Sequence, residues 1–361
     1  MKKNRNPEKS RVYICHTFYH AYIACVKELV FRHSGNGTAD IILSTMSNDF
    51  GSLKERLEES GIFGSVFMYD EKKDDTSEEV MRYHRDRGNL VLNLLQRIRY
   101  TKLLGKLQEP YVPADLSAYG DVYVFCDSDP IGYYLNYKKI PYHAVEDGLN
   151  SGKLDDQARN ANRGAFGLKC LMAKMGLIFI ESGYSRYCID YEVNDISANH
   201  KPPKNTVEVP RDALDAQLTR EDHAILVRIF LPEADRLVRE LTAAKPAVMI
   251  LTEPLCELDV REKLFGDVID MYKDEYKIII KPHPRDILDY AAAFPDVLVI
   301  RDRFPMEVLG DIEGFRVEKL VSVITQVDNI RFADSIVYLG LDFMDRYEDP
   351  KLHRKTELLD S

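Results

Sequence analysis

YKIIIKPHPRD, residues 276 to 286, sets three consecutive isoleucines ahead of a lysine and then holds a histidine between two prolines. An apolar run of this length, closed by turn formers, reads as a strand buried on both faces, the pattern of a parallel sheet. The same rhythm continues on either side. AVMILTE (247–253) precedes it, and VLVIRD (297–302), LVSVIT (320–325) and SIVYLG (335–340) follow. Helices are expected over about 256–274 and 284–293. Strands that alternate with helices predict a doubly wound sheet.

The first half of the chain carries a second such series. RVYICHT (11–17), ADIILST (39–45), SVFMYD (65–70), DVYVFCD (121–127) and PYHAVED (141–147) read as strands. Helices are expected over 21–33, about 50–60 and about 76–108. NHKPPKNTVEVP (199–210) has three prolines and few apolar residues and reads as a linker, with helical DALDAQLTREDHAILVRIF (212–230) and EADRLVRELTAA after it. The expectation is an α/β chain of two Rossmann-like domains facing a central cleft, with ligands at the carboxyl ends of the strands. Its parts would be domain 1–205, a helical connector 206–245, domain 246–345 and a tail 346–361.

Composition narrows the function classes. The 361 residues are 45% hydrophobic and 30% charged, with a formal net charge of −10 and a pI near 5.5. That balance argues against a protein that coats nucleic acid, which needs a basic face. No apolar run reaches membrane-spanning length and the polar start MKKNRNPEKS is no secretory signal, so a cytoplasmic protein is expected. The six cysteines lack a CxxC pair and read as reduced core residues rather than a zinc site. One stretch reverses the charge balance: residues 81–107 hold seven Lys or Arg against the single acid Asp86. It reads as a solvated helix face, with docking on an anionic membrane surface or an acidic glycolipid as the alternative, and it is also a candidate surface for a homodimer partner.

Strand ends are where chemistry is expected. The first strand closes in Cys15-His16-Thr17, with His20 just beyond, and the strand at 141–145 closes in Glu146-Asp147-Gly148. Gly148 is expected to turn with φ > 0 behind the acids. The acids fit a capped loop, or a carboxylate that takes the proton of an attacking hydroxyl. His283 stands between Pro282 and Pro284, and Pro284 suits a first helical turn. An imidazole at a helix N-terminus would suit a departing phosphate; the alternative is a rigid loop. Asp127-Ser128-Asp129 fits a metal-binding DxD, but DSDP reads better as a turn into the helix IGYYLNY.

Together these residues resemble the bacterial lipooligosaccharide sialyltransferases, glycosyltransferase family 52. Cys15-His16-Thr17, Glu146-Asp147-Gly148, Thr252-Glu253-Pro254-Leu255, Lys281-Pro282-His283-Pro284-Arg285 and Phe304-Pro305-Met306-Glu307 follow the family's motifs in order, over residues 11 to 340. The resemblance implies a GT-B fold and an inverting transfer from CMP-sialic acid to a glycan hydroxyl, without metal or cofactor. It implies Asp147 as the base and His283 as the group that meets the departing phosphate. A carboxylate at the start of the second domain, Glu253 or Glu257, is the alternative base. Lys281, Pro284, Arg285, Pro305 and Glu307 would bind the donor, and His16, Thr17, His20, Glu146 and Gly148 would line the acceptor side.

The chain departs from the family in three places, the first being an acidic pair that is Glu146-Asp147 rather than Asp-Asp. Ser322 and Thr325 only approximate the serine–threonine pair that touches the phosphate, and His20 replaces a glutamine. Capsule Kdo transferases and teichoic-acid glycerophosphotransferases share a Lys-x-His-Pro motif, which makes CMP-Kdo or CDP-glycerol alternative donors. A catalytically dead glycan-binding relative is the reading from another class.

Overall fold

The computed structural model describes residues 10–35, 37–71, 77–149, 157–199, 201–241, 245–283, 285–325, 327 and 330–353. The chain divides into two compact units, Met1–Ile229 and Phe230–Ser361.

The first unit is built on seven parallel strands: β1 Arg11–Cys15, β2 Ala39–Ser44, β3 Phe63–Tyr69, β4 Asp121–Phe125, β5 Tyr142–Val145, β6 Cys188–Val193 and β7 Thr206–Glu208. Their order is β3-β2-β1-β4-β5-β6-β7. Every residue of β1 and β2 is buried, because helices cover both faces of the middle of the sheet. Charged side chains that enter that core are paired there: Arg11 forms a two-pronged ion pair with Glu28 at 2.9 and 3.0 Å, and Lys27 pairs with Glu192.

The second unit has five parallel strands: β8 Ala247–Leu251, β9 Lys277–Lys281, β10 Leu298–Val299, β11 Val317–Ser322 and β12 Ala333–Tyr338. The order is β10-β9-β8-β11-β12. Ile278, Ile280, Val248, Ile250 and Val321 meet Leu264, Phe265 and Val268 of helix Leu258–Asp270 in one core. In each sheet the winding reverses beside the first strand, between β1 and β4 and between β8 and β11. Loops on either side of such a switch point part, leaving a crevice beyond the carboxyl ends.

Several local expectations change. The helix expected over 76–108 breaks into Glu78–Met81 and Leu90–Leu107. Gly88 takes φ +68°, and the Asn89 side chain caps the second helix by accepting from Val91 N and Leu92 N. Helix 212–230 likewise breaks, because Thr219 and Asp222 form a reciprocal cap ahead of Arg220–Phe230. The proline-rich linker contributes β7, which pairs with β6, and the division between the units after Ile229 falls inside the stretch 206–245 read as a connector. Strand β6 and helices Gln157–Ala161 and Phe166–Lys174 come from sequence that carried no expectation.

Candidate active site

In the first unit, His16, His20 and Asp147 meet at the switch point. β1 ends at Cys15, and Thr17 caps the following helix, Phe18–His33, its hydroxyl accepting from His20 N at 3.1 Å. That cap sets the first helical turn, which carries His20 under the end of β5. Nδ1 of His20 accepts the His16 backbone N–H at 3.1 Å, so the proton sits on Nε2. Nε2 faces both Asp147 Oδ1 at 3.0 Å and the Asp147 carbonyl oxygen at 2.7 Å. The ring stacks on Phe125, with centroids 4.8 Å apart. Burial lowers the His20 pKa despite Asp147, which keeps the ring a neutral donor. Its hydrogen bond, in turn, is the main cause that lowers the Asp147 pKa. The Asp147 carboxylate is therefore ionised and oriented, with its side chain about half exposed, at 48%.

Behind this pair lies a buried support. His16 Nε2 lies 2.7 Å from Glu71 Oε2 and 3.5 Å from Asp129 Oδ2. Glu71 also accepts from Ser44 Oγ and Ile131 N, both at 2.6 Å. Burial disfavours the charged His16 ring, but the charge and hydrogen bond of Glu71 outweigh it and raise the pKa. Asp127 is buried and accepts from Tyr142 OH at 2.8 Å and Ser182 N at 2.9 Å, and desolvation pushes its pKa up to about 7. Helix Pro130–Lys138 approaches this turn closely, since a Cβ on Gly132 would lie 1.9 Å from the Asp127 carbonyl oxygen. The first aspartate of the DSD sequence thus fastens a turn.

Two expectations for the acidic turn change. Glu146 points away from Asp147: it is buried, accepts from Asn194 N at 2.7 Å and lies 3.6 Å from Arg211 Nη2. Gly148 does not take a positive φ, and a Cβ there would meet nothing within 4 Å. The turn does not demand a glycine.

In the second unit, the loop after β9 is organised by Asp286. Its fully buried carboxylate accepts from Arg261 Nη1 at 2.6 Å, Thr252 Oγ1 at 2.9 Å, Tyr290 OH at 2.8 Å and Leu288 N at 3.2 Å. Burial disfavours the carboxylate, but these four donors together lower its pKa. Thr252 Oγ1 also accepts from His283 N at 3.3 Å. His283 Nδ1 accepts from Arg285 N at 3.1 Å, so the outward proton of this ring is again on Nε2. Pro284 lies outside the described residues. Residues 285–289 are not helical, and the next helix is the short Tyr290–Ala293, so His283 does not stand at a helix N-terminus. Asp286 draws the chain down onto β8 instead of letting it wind. Nor is the ring a ready cation: burial first, and then Arg285, lower its pKa.

His283 lines a cavity of about 270 Å³ with Asp286, Tyr290, Arg301 and Arg303. Lys281, at the end of β9, is buried with its ammonium 4.0 Å from the Phe304 ring centroid, and desolvation lowers its pKa to about 8. Glu307 is its counter-charge, and burial raises that carboxyl. Pro305 precedes the short helix Met306–Asp311 that carries Glu307. At the switch point of this sheet, Glu253 is buried and turned inward. It accepts from Ile324 N at 3.1 Å, from Thr325 N and from Ser322 Oγ at 3.4 Å, while Ser322 Oγ bonds the Thr325 carbonyl at 2.6 Å. Glu257 is exposed at the start of helix Leu258–Asp270. Glu71, Asp286, Arg301 and Arg303 had escaped the sequence reading. Each lies two to four residues beyond a strand or the His-Pro pair, and that position is the signal they carry.

A family model, "Glycosyltransferase family 52", matches residues 85–325. The chain belongs to glycosyltransferase family 52. An uncharacterised protein of Haemophilus influenzae is 38% identical over 90 residues, which are 24% of this chain and 29% of that protein. This family 52 chain therefore matches less than a third of the length of that curated relative. Among solved structures, a 2,6-sialyltransferase of Photobacterium sp. JT-ISH-224, in complex with the donor product CMP and the acceptor substrate lactose, superposes with a TM-score of 0.54. The identity is 10%, over 91% of this chain and 71% of that one. A UDP-GlcNAc 2-epimerase of Neisseria meningitidis has a TM-score of 0.43 and 10% identity, over 88% and 77%. The fold of the family 52 chain is of GT-B type, two Rossmann-like parallel-sheet units.

Proposed function

We propose that this family 52 chain is an inverting sialyltransferase. It would move sialic acid from CMP-sialic acid to a galactose hydroxyl on a bacterial surface glycan such as lipooligosaccharide or capsule. The observation that carries the reading is the locked tautomer of His283: with Nδ1 occupied by the Arg285 N–H, Nε2 presents its proton beside a cavity lined by Arg301 and Arg303. In this reading Asp147 takes the proton of the acceptor hydroxyl. The acceptor oxygen forms a bond to the anomeric carbon from the face opposite the phosphate. The bond from that carbon to the phosphate oxygen breaks, and its electron pair leaves with CMP. His283 donates through Nε2 to the phosphate as charge grows there, and a nucleotide phosphate would in turn raise the pKa of the ring. Lys281, Arg285, Arg301 and Arg303 supply positive charge, so the reading assigns no metal or cofactor.

Asp147 is preferred as base because its carboxylate is half exposed, whereas both oxygens of Glu253 are taken by the 322–325 turn. The test is transfer from CMP-Neu5Ac to a panel of galactosides. His283→Ala should lose about 10²–10⁴-fold in turnover, and so should Asp147→Asn, whereas Glu257→Gln should stay near the parent. Near-parental transfer by His283→Ala would sink the assignment, as would transfer from CMP-Kdo or CDP-glycerol alone.

A further inference from the structure

Two helices of the first unit, Leu90–Leu107 and Phe166–Lys174, lie on one surface: Leu94 and Ile98 of the first pack on the cluster that holds Met172 and Ala173 of the second. Beyond those contacts both helices turn apolar side chains to the outside. Val91 is 65% exposed, Leu95 53% and Leu171 55%, and Leu92, Leu168 and Met175 are exposed as well. On the longer helix the exposed positions Leu92, Leu95, Arg99, Lys102 and Lys106 recur every three or four residues, so they share one face. That face is apolar in its first half and basic in its second. Residues 157–180 carry Arg159, Arg163, Lys169 and Lys174 and no Asp or Glu, and 81–107 carry seven basic residues against one acid. The whole chain, by contrast, has a net charge of −10.

Leucines standing among arginines and lysines are costly in water and suit an interface that is apolar below and anionic above. Long cationic stems can lie along such a boundary with their heads at the lipid phosphates. A second copy of this chain fits less well, because a self-matching contact would set two basic faces against each other. We infer that the surface formed by helices Leu90–Leu107 and Phe166–Lys174 docks on an anionic lipid bilayer, lying in the headgroup plane. This contact stands apart from the transfer chemistry, and its test needs no activity.

The measurement is co-sedimentation of the full chain with vesicles of phosphatidylglycerol and phosphatidylethanolamine, and with vesicles of phosphatidylcholine. Binding is expected to the anionic vesicles alone and should weaken in high salt. Arg99→Gln/Lys102→Gln should lower the partition constant about 25-fold, at about fivefold for each cation removed from the surface. Val91→Ser/Leu95→Ser should lower it about tenfold or more at unchanged charge. Neither variant should change the thermal unfolding followed by circular dichroism, since all four side chains are exposed. Absence of binding to anionic vesicles, equal binding to phosphatidylcholine, or parental binding by both variants would each overturn the inference. So would light scattering that finds a dimer which the variants dissociate, with no binding to lipid.

Discussion

Replacing Asp286 with Ala tests whether one buried carboxylate holds the loop that carries His283. The side chain is fully buried and accepts four hydrogen bonds, one of them from Arg261 at 2.6 Å. The substitution leaves the Arg261 guanidinium buried at its Nη1 end with no carboxylate, and uncaps Thr252, Tyr290 and Leu288 N. Removing one partner of a buried ion pair costs about 3–5 kcal/mol, mostly because the surviving charge is stranded. Hydrogen bonds to a charged acceptor contribute about 1.5–3 kcal/mol each, but they share one carboxylate and do not add, so the lower figure governs. For a unit of this size the loss should depress its Tm by about 10 °C or more. The protein has no tryptophan, so scanning calorimetry is the suitable assay, with circular dichroism beside it. Arg261→Ala should cost a similar amount. The double variant should cost about 2–3 kcal/mol less than the sum, because the second removal strands nothing new. The pKa of Asp286 is depressed, so its contribution is present above the unfolded value near pH 4 and is lost as pH falls through the folded value. A cost below about 1 kcal/mol for Asp286→Ala, or strict additivity in the cycle, would refute the reasoning.

Two further predictions concern ligand and pH. The Lys281 pKa, lowered to about 8, is raised again when an anion binds, so CMP binding should take up protons near pH 8 and weaken as pH rises beyond it. Lys281→Met should abolish that dependence in calorimetric titrations of CMP between pH 7 and 9. His20 lowers the Asp147 pKa by donating to it, so His20→Ala should move the acidic limb of the kcat/KM profile to higher pH. An unmoved limb would remove Asp147 from the role of base.

The periodic apolar runs were enough to make both parallel sheets legible, because a strand buried on both faces must be apolar along its whole length. Ile278, Ile279 and Ile280 are such a run. The strand ends that carry His16, Asp147, Glu253 and His283 followed from the same pattern, since each of these residues lies within two positions of the end of its strand. The edges were not legible: β7 is a three-residue strand in a proline-rich stretch, and its pairing with β6 depends on a neighbour the local sequence does not name. Side-chain direction also lay beyond the sequence. Glu146 and Asp147 are adjacent and alike in chemistry, yet one turns inward to Asn194 and the other outward to His20. A run of one histidine and two prolines promised a helix start, but the Asp286 carboxylate found Arg261, Thr252 and Tyr290 and held the chain in a turn rather than a helix. The sequence by itself determined the apolar strands at the centre of each sheet and the strand ends where chemistry collects, because periodicity and burial are local properties. The tautomers of His20 and His283, the inward turn of Glu253 and the roles of Glu71 and Asp286 were decided only by tertiary structure, because each depends on a donor or acceptor brought from a distant part of the chain.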